Sequence, residues 1–378
     1  MLRAILRYIR RIKFNYQPLV EVLVYRENLL HNLRVFREAS PGLRIAPVLK
    51  SNAYGHGLRE IAKILDKEAA PFLVVDSYFE ALVLRREGIK SEILIIGFTA
   101  PENIYKNKLR GVAFTITGME QLGEIAKNLE RPSTFHLKID TGMHRQGILP
   151  GEINEAISLI NRNNNLNLEG ICSHLADADN LDESQTGEQI ERWNKIVDVF
   201  KANFSGIKYF HLAASAGVKF ADKITANVMR LGLGLYGINA DNQNLDLRPA
   251  LEIKSVIAGI KDASAGSGVG YNFTYRAPKR TRIAAVPVGY FEGVNRRLSN
   301  KGFFKIGNIF CPLIGRVSMN ISTIDVGDVP NVKMGDSVIV ISPEPSDKNS
   351  VKNIAEICRT IPYEILAHIP QALKRNIR

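Results

Sequence analysis

Through the first two thirds of this chain, short apolar runs alternate with longer segments in which apolar residues recur three and four positions apart. The runs "LRIAPVLK" (43–50), "PFLVVDS" (71–77), "EILIIG" (92–97), "GVAFTIT" (111–117), "TFHLKIDT" (134–141), "LEGICSH" (168–174), "YFHLAAS" (209–215) and "NVMRLGLGLYG" (227–237) read as strands. Segments between them, such as "YFEALVLRREG" and "GEQIERWNKIVDVFKANF", read as amphipathic helices. Near-continuous apolar strands separated by helices predict a parallel sheet covered by helices. A count of eight predicts closure into an α/β, (β/α)8 TIM-like barrel.

Near residue 245 the period changes. "LEIKSVIAGI", "TRIAAVPVG", "CPLIGRV", "STIDV" and "SVIVIS" are short β-rich runs punctuated by Gly, Pro, Asn and Asp, with one late helix at "NIAEICRTI". The pattern therefore predicts a basic N-terminal extension over 1–16, a barrel over 17–245 and a mainly β C-terminal domain over 246–378. No internal repeat or long Gly/Ser linker interrupts them, so close packing is expected.

The net charge of +12 raises the question of a nucleic-acid partner, and its distribution answers it. Eight of the charges sit near the ends, as Arg3, Arg7, Arg10, Arg11 and Lys13, and as Lys374, Arg375 and Arg378. The body is only mildly basic and has no cationic stripe with interleaved aromatics, which argues against nucleic-acid binding. Within 1–16, Leu2, Ile5, Leu6, Ile9 and Ile12 fall near helical spacing. That permits an amphipathic helix on an anionic membrane surface, with a docked helix or a frayed tail as the plainer alternatives. Arginines break up its apolar residues, so no signal peptide is expected, and no apolar stretch is long enough to span a bilayer. Three cysteines, Cys172, Cys311 and Cys358, form no CxxC pair and leave one over. Neither a disulfide framework nor a structural zinc is expected, no metal is implied, and a reducing, cytoplasmic compartment fits.

Barrels of this kind build their sites at the carboxyl ends of the strands. There the chain places Lys50, then Lys138, Asp140 and Arg145, then His174, Ser215, and Arg230 with Gly232. One strand-end lysine is usually a solvated terminus, and one histidine is usually structural. Convergence from five strands is harder to dismiss. An amine desolvated in an apolar barrel mouth is a competent Schiff-base nucleophile. Tyr54, Ser215 and Gly232 are the residue types that hold a phosphate by hydroxyls and backbone amides. Together these suit pyridoxal 5′-phosphate, although a sugar-phosphate aldolase of the same fold could also use a strand-end lysine.

Eight motifs then occur in order: "APVLKSNAYGHG", "HLKIDTGMHRQGI", "GICSHLADAD", "HLAASAG", "NVMRLGLGLYGI", "GVGYNFTYRA", "VPVGYFEGVNRRLSN" and "IGRVSMN". Over roughly residues 17–366 they resemble the alanine racemase family. The resemblance implies a fold-type III, pyridoxal-phosphate-dependent isomerase that interconverts L- and D-alanine and supplies D-alanine for cell-wall (peptidoglycan) synthesis. It also implies a head-to-tail homodimer in which each site is completed by the partner's β domain. Lys50 resembles the lysine that bonds the cofactor, and Tyr54, Ser215, Gly232 and Leu233 the phosphate-binding residues. Arg230 resembles the arginine facing the pyridine nitrogen, and His174 the residue hydrogen-bonded to it. Arg145 resembles a holder of the substrate carboxylate, and Lys138 the neighbouring lysine that is carbamylated in many members. In the β domain, Tyr271 resembles the second catalytic base and Met319 the residue whose amide contacts the carboxylate. A phenol is a weak base near neutral pH, so such a tyrosine needs a positive neighbourhood. Tyr290, Arg296, Arg316 and Asp179 resemble residues lining the access channel.

The chain also departs from the family pattern. Asn320 stands where Asp is usual, Asn295 where Pro is usual, and Ala214 where Asn is frequent. "ALKRNIR" replaces the usual ending, and Gln371 lies where some members supply another phosphate-binding tyrosine. These changes bear on substrate identity more than on reaction type. A racemase for serine or another small amino acid, and a non-catalytic pyridoxal-phosphate-binding barrel, are the alternatives. The tyrosine in "GVGYNFTY" counts against the second, and against a decarboxylase.

Overall fold

The computed structural model describes residues 16–239 and 245–378. The helix expected within 1–16 falls outside the described residues. The chain divides into two compact units. The larger takes Leu23–Glu252 and returns for Ile341–Gln371 and Arg375–Arg378. The smaller takes residues 16–22, then Ile253–Val340 and Ala372–Lys374.

After a first strand, β1 (Glu21–Val24), and helix α1 (Arg26–Ala39), the larger unit repeats strand and helix. Its strands are β2 (Arg44–Pro47), β3 (Leu73–Val75), β4 (Ile93–Ile95), β5 (Val112–Ile116), β6 (Ser133–Lys138), β7 (Leu166–Cys172), β8 (Tyr209–His211) and β9 (Val228–Leu231). Strands β3 to β8 pair in chain order as a parallel ladder, and β2 pairs with β9. A parallel bridge from Val48 to Val74 joins the two sets on one side. On the other side the amides of Asn227 and Arg230 donate to the carbonyls of Phe210 and Ala213, each at 3.1 Å. The eight parallel strands thus form the predicted barrel, six of them inside their predicted runs, while β6 and β7 begin one and two residues earlier than their runs. Strands β3, β4 and β5 are buried along their whole length, as a sheet covered on both faces requires.

The covering helices follow their sequence signals. Helix α2 (Leu58–Leu65) precedes β3, and α3 (Tyr78–Arg86) starts on Ser77, whose hydroxyl accepts from the Glu80 amide at 3.2 Å. Helices α4 (Pro101–Tyr105), α5 (Met119–Asn128) and α6 (Ile153–Asn161) follow in turn. Helix α7 (Ser184–Asn203) buries Trp193, Ile196, Val197 and Phe200, and the Trp193 indole donates to the Thr225 carbonyl at 3.1 Å. The returning segment adds α8 (Val351–Cys358), capped by Ser350, and α9 (Pro362–Ala367). Among the described residues no helix is long and apolar enough to cross a membrane.

The smaller unit is mainly β, as the period change predicts. Strand β10 (Leu251–Val256) leads into it. Strands β11 (Gly259–Ala263), β14 (Thr281–Val286) and β17 (Ser322–Asp325) form an antiparallel sheet in that order, with Ala284 opposite Ile324 in its buried layer. Strands β15 (Phe303–Ile306) and β16 (Ile309–Pro312) form a hairpin turning at Gly307, and β18 (Ser337–Ile341) pairs with β15. The short pair β12 (Gly268–Val269) and β13 (Tyr275–Arg276) closes the loop that carries Tyr271.

Immediately after β9 the backbone turns tightly under α1. A Cβ at Gly234 would lie 2.5 Å from the ring of Phe36, a fully buried residue, so only glycine lets the turn and helix meet. Gly234→Ala should therefore cost about 1–3 kcal/mol of unfolding free energy, the usual cost of overpacking. Adding Phe36→Leu should recover part of that loss. Urea denaturation of the two single variants and the double variant measures both.

Candidate active site

The strand-end lysine and Tyr54 are separated by an unusual piece of backbone. Ser51, Asn52, Ala53 and Tyr54 all adopt left-handed φ angles between 51° and 56°. For non-glycine residues this costs about 1–2 kcal/mol each, so the surroundings must hold it. Glu80 supplies one clamp. Its carboxylate accepts from the Asn52 amide at 3.3 Å and the Asp76 amide at 2.9 Å. The Asn52 side chain accepts from the Leu58 amide at 2.9 Å. Gly55 then sits against α9, where a Cβ would meet the Leu366 carbonyl at 2.2 Å. Arg375, in the C-terminal strand β19 (Arg375–Ile377), donates to the Gly55 carbonyl at 2.9 Å and to the Pro370 carbonyl at 2.7 Å. The strained turn is thereby tied to the returning segment.

Lys50 and Tyr54 both line a cavity of about 750 Å³ at the carboxyl ends of the barrel strands. Seven other barrel residues singled out from sequence line it too, Lys138, Arg145, His174, Ser215, Arg230, Gly232 and Leu233, whereas Asp140 does not and accepts from the Gly142 and His144 amides at 2.8 and 3.1 Å. Their convergence is what the strand-end rule predicts.

Arg230 is buried beneath this group, and its guanidinium is fixed by neutral acceptors. One nitrogen donates to His211 Nδ1 at 2.6 Å and to the His211 carbonyl at 2.8 Å. The other donates to the carbonyls of Ser173 (2.7 Å) and Leu212 (3.0 Å) and reaches His174 Nδ1 at 3.2 Å. The sequence pairs Arg230 with His174. The structure adds His211, which makes the shorter contact. Burial and then the Arg230 charge hold His174 and His211 well below the ordinary histidine range, so both imidazoles are neutral.

Also lining the cavity is Ser215, whose hydroxyl accepts from the amides of Gly232 and Gly234, each at 3.2 Å. A Cβ at Gly232 would stand 2.8 Å from the Tyr54 hydroxyl. Bare backbone, a serine and a tyrosine thus form a cradle of the kind that takes an anion such as phosphate. Burial pushes the Tyr54 phenol up, keeping it a proton donor. The sequence missed a second phenol. Tyr363 of α9 lines the cavity with its ring 5.8 Å from that of Tyr54. Gln371, singled out from the sequence as standing in place of a tyrosine, lies past α9, its carbonyl accepting from Arg375 at 2.9 Å. No local signal marks Tyr363, because its place depends on a segment that returns to the barrel.

Lys138 at the end of β6 is half-buried, its side chain lining the cavity. Burial pushes its ammonium down to about 8, with Arg230 and Arg145 adding repulsion and Cys172 and Asp140 opposing. Cys172 lines the cavity, and Cys172, Cys311 and Cys358 are all buried.

Tyr271 and Met319 are not among the cavity-lining residues. They lie in the smaller unit, 67 % and 54 % exposed. Their loops pack together there. The Tyr290 and Phe291 amides donate to the Ser318 and Met319 carbonyls at 3.1 and 2.9 Å, and a Cβ at Gly270 would be 3.2 Å from the Arg316 nitrogen. Asn320 finds a reason in this loop cluster. Its amide donates to the Glu292 carboxylate at 2.6 Å, a contact that an aspartate would turn into repulsion. Asn295 caps the turn that follows it, accepting from the Arg297 amide at 3.0 Å.

Comparison with known proteins agrees with this arrangement. Residues 24–240 match the family described as alanine racemase, N-terminal domain, and residues 250–377 match alanine racemase, C-terminal domain. The alanine racemase of Syntrophobacter fumaroxidans is 35 % identical over 353 residues, covering 90 % of this chain and 92 % of that one. That of Fusobacterium nucleatum is 37 % identical over 361 residues, covering 93 % and 98 %. The solved alanine racemase of Clostridium difficile 630 superposes with a TM-score of 0.88 at 30 % identity, covering 96 % of this chain and 97 % of that one.

The enclosure of Lys138 has a measurable cost. Between about pH 8 and 10.5 the folded protein has released this proton while the unfolded chain still holds it, so unfolding binds a proton and stability rises with pH. Below pH 8 the folded state carries the full penalty, on the order of 3 kcal/mol. Lys138→Met should stabilise the protein at pH 7 in buffer free of carbon dioxide and flatten the rise above pH 8. Chemical denaturation of both proteins from pH 6 to pH 10 measures the difference.

Proposed function

The chain belongs to the alanine racemase family and is an amino-acid racemase, and from that footing we propose that it interconverts L- and D-alanine with pyridoxal 5′-phosphate. The observation that carries the cofactor assignment is the cavity itself: a strand-end amine, a buried guanidinium and a phosphate cradle from which a Cβ at Gly232 is sterically excluded. When bound, the cofactor acidifies the Cα–H bond of an attached amino acid by drawing its electron pair into the pyridine ring.

The residues of this chain then divide the work. Tyr54, Ser215 and the amides at Gly232 and Leu233 hold the phosphate, joined by the Tyr363 phenol. Lys50 would hold the cofactor through its amine and would serve as one base towards the substrate Cα. Arg230 would face the ring nitrogen, and because a guanidinium does not surrender its proton, the ring held there would be a weaker electron sink. His174 and His211 hold the guanidinium in place. Arg145 takes the substrate carboxylate. The neutral amine of Lys138 can add to carbon dioxide, forming an N–C bond and releasing one proton, and the resulting carbamate would be an anionic partner for Arg145.

We read the active form as a homodimer in which Tyr271 of the partner subunit is the second base and the partner's Met319 completes the carboxylate site. The support is the exposed face of the smaller unit, where Tyr271, Phe273, Phe291 and Met319 are each more than half exposed on packed loops. Such a surface on a folded unit calls for a covering partner. The product, D-alanine, would serve cell-wall synthesis.

Two outcomes test this reading. Lys50→Ala and Tyr271→Ala proteins, each inactive, should regain racemisation when mixed under subunit exchange, because a hybrid dimer has one intact site. No recovery despite demonstrated exchange would place both bases in one chain. Tyr271→Phe should lose about 10²–10⁴-fold in racemisation yet still exchange the Cα hydrogen of D-alanine with deuterated solvent faster than that of L-alanine. Equal exchange from both enantiomers would remove Tyr271 from the mechanism.

A further inference from the structure

Behind Arg230 and His211 lie two further groups that the proposed mechanism does not use, the buried His136 and the partly exposed Glu169. His211 Nε2 is 2.7 Å from His136 Nδ1, and His136 Nε2 is 3.8 Å from a carboxylate oxygen of Glu169. Both imidazoles are fully buried. His136 Nε2 has no hydrogen-bond partner, so Glu169 meets it as the nearby anion rather than through a closed bond.

The direction of this chain is fixed by chemistry. A guanidinium only donates, so His211 Nδ1 must accept and carry no proton. The single proton of a neutral His211 is then on Nε2 and is donated to His136 Nδ1. His136 in turn carries its proton on Nε2, pointing at Glu169. Burial, with Arg230 adding repulsion, pushes both histidines down, in keeping with neutral rings, while Glu169 opposes this at His136.

The backbone is built to make this contact. The register of β6 against β7 slips between Phe135 and His136, so that Phe135 faces Leu168, His136 faces Gly170, and Glu169 is the extra residue. A bulge of this kind re-aims the side chain it displaces. Gly170 leaves room for the imidazole: a Cβ there would be 2.8 Å from His136 Nδ1 and 2.9 Å from the Tyr209 carbonyl. Phe72 meets the His136 ring edge-on and Tyr209 stacks on it, and Lys208 holds the outer Glu169 oxygen at 3.1 Å.

We propose that Glu169, His136 and His211 are positioning residues that lock the His211 tautomer and so fix the Arg230 guanidinium towards the cavity, with Glu169 as the anionic end of the relay. The functional meaning rests on the reading of Arg230 given above, but the relay itself does not require turnover to be observed. In the opposite tautomer His211 would direct an N–H at Arg230, and the guanidinium would have to rotate away.

Nitrogen-15 NMR of the cofactor-loaded protein, deuterated and labelled at its seven histidines, reads the tautomers directly. His136 and His211 should both be neutral with the proton on Nε2 at pH 7. A charged ring, or a proton on Nδ1 of either, would overturn the relay whether or not the protein racemises alanine. Substitution then separates the relay from packing. His136→Gln keeps an acceptor for His211 and should retain its tautomer and stay within about threefold of wild-type kcat, whereas His136→Phe fills the space without an acceptor. His136→Phe should release the His211 tautomer and lower kcat about tenfold with KM changed less than about twofold. An unchanged tautomer and kcat in His136→Phe would reduce His136 to a packing residue, and if that variant does not fold, the wild-type spectrum still decides.

Discussion

A permanently charged guanidinium buried in a barrel, with only neutral atoms as hydrogen-bond partners, is the constraint on which this site depends. Burying a charge is costly unless its hydrogen bonds are met, and Arg230 meets that requirement through two ring nitrogens and three carbonyls. The carbonyls come from the ends of β7 and β8, and the His211 oxygen also accepts from the Ser173 amide at 3.1 Å. The charge then disciplines everything near it. Added to the larger effect of burial, it holds His174 and His211 neutral and discourages protonation of Lys138, and it presents a fixed cation to the cavity.

The second investment is backbone strain. Four consecutive left-handed residues set Lys50 and Tyr54 on the same cavity, and the opposing forces come from far along the chain: Glu80 on α3, Leu366 on α9 and Arg375 on β19. The returning segment is thus more than a tail. It supplies Tyr363 to the cavity and buttresses the strained turn. A site that concentrates strain, a buried amine and a buried cation is expected to be less stable than an apolar replacement, which is the usual exchange of stability for function.

The smaller unit shows how a departure from a family pattern can be locally consistent. Asn320 looks like a loss of charge when read in sequence. Beside Glu292 it becomes the residue that can donate, and the loop carrying Met319 keeps its shape.

Much of this was legible in the sequence. Eight apolar runs at helical intervals determined a parallel barrel, because a strand buried on both faces can tolerate few polar residues, and the strand-end position of Lys50, Lys138, His174, Ser215 and Arg230 followed from the same count. His136 could have been found as well. It lies two residues before Lys138 in one strand, and a period of two puts both on the same face. Three things were decided only by tertiary structure: the pairing of His136 with His211, the bulge that turns Glu169 towards them, and the arrival of Tyr363 beside Tyr54. In each case the partners are separated by tens or hundreds of residues, and no local propensity records which of them will meet when the barrel closes.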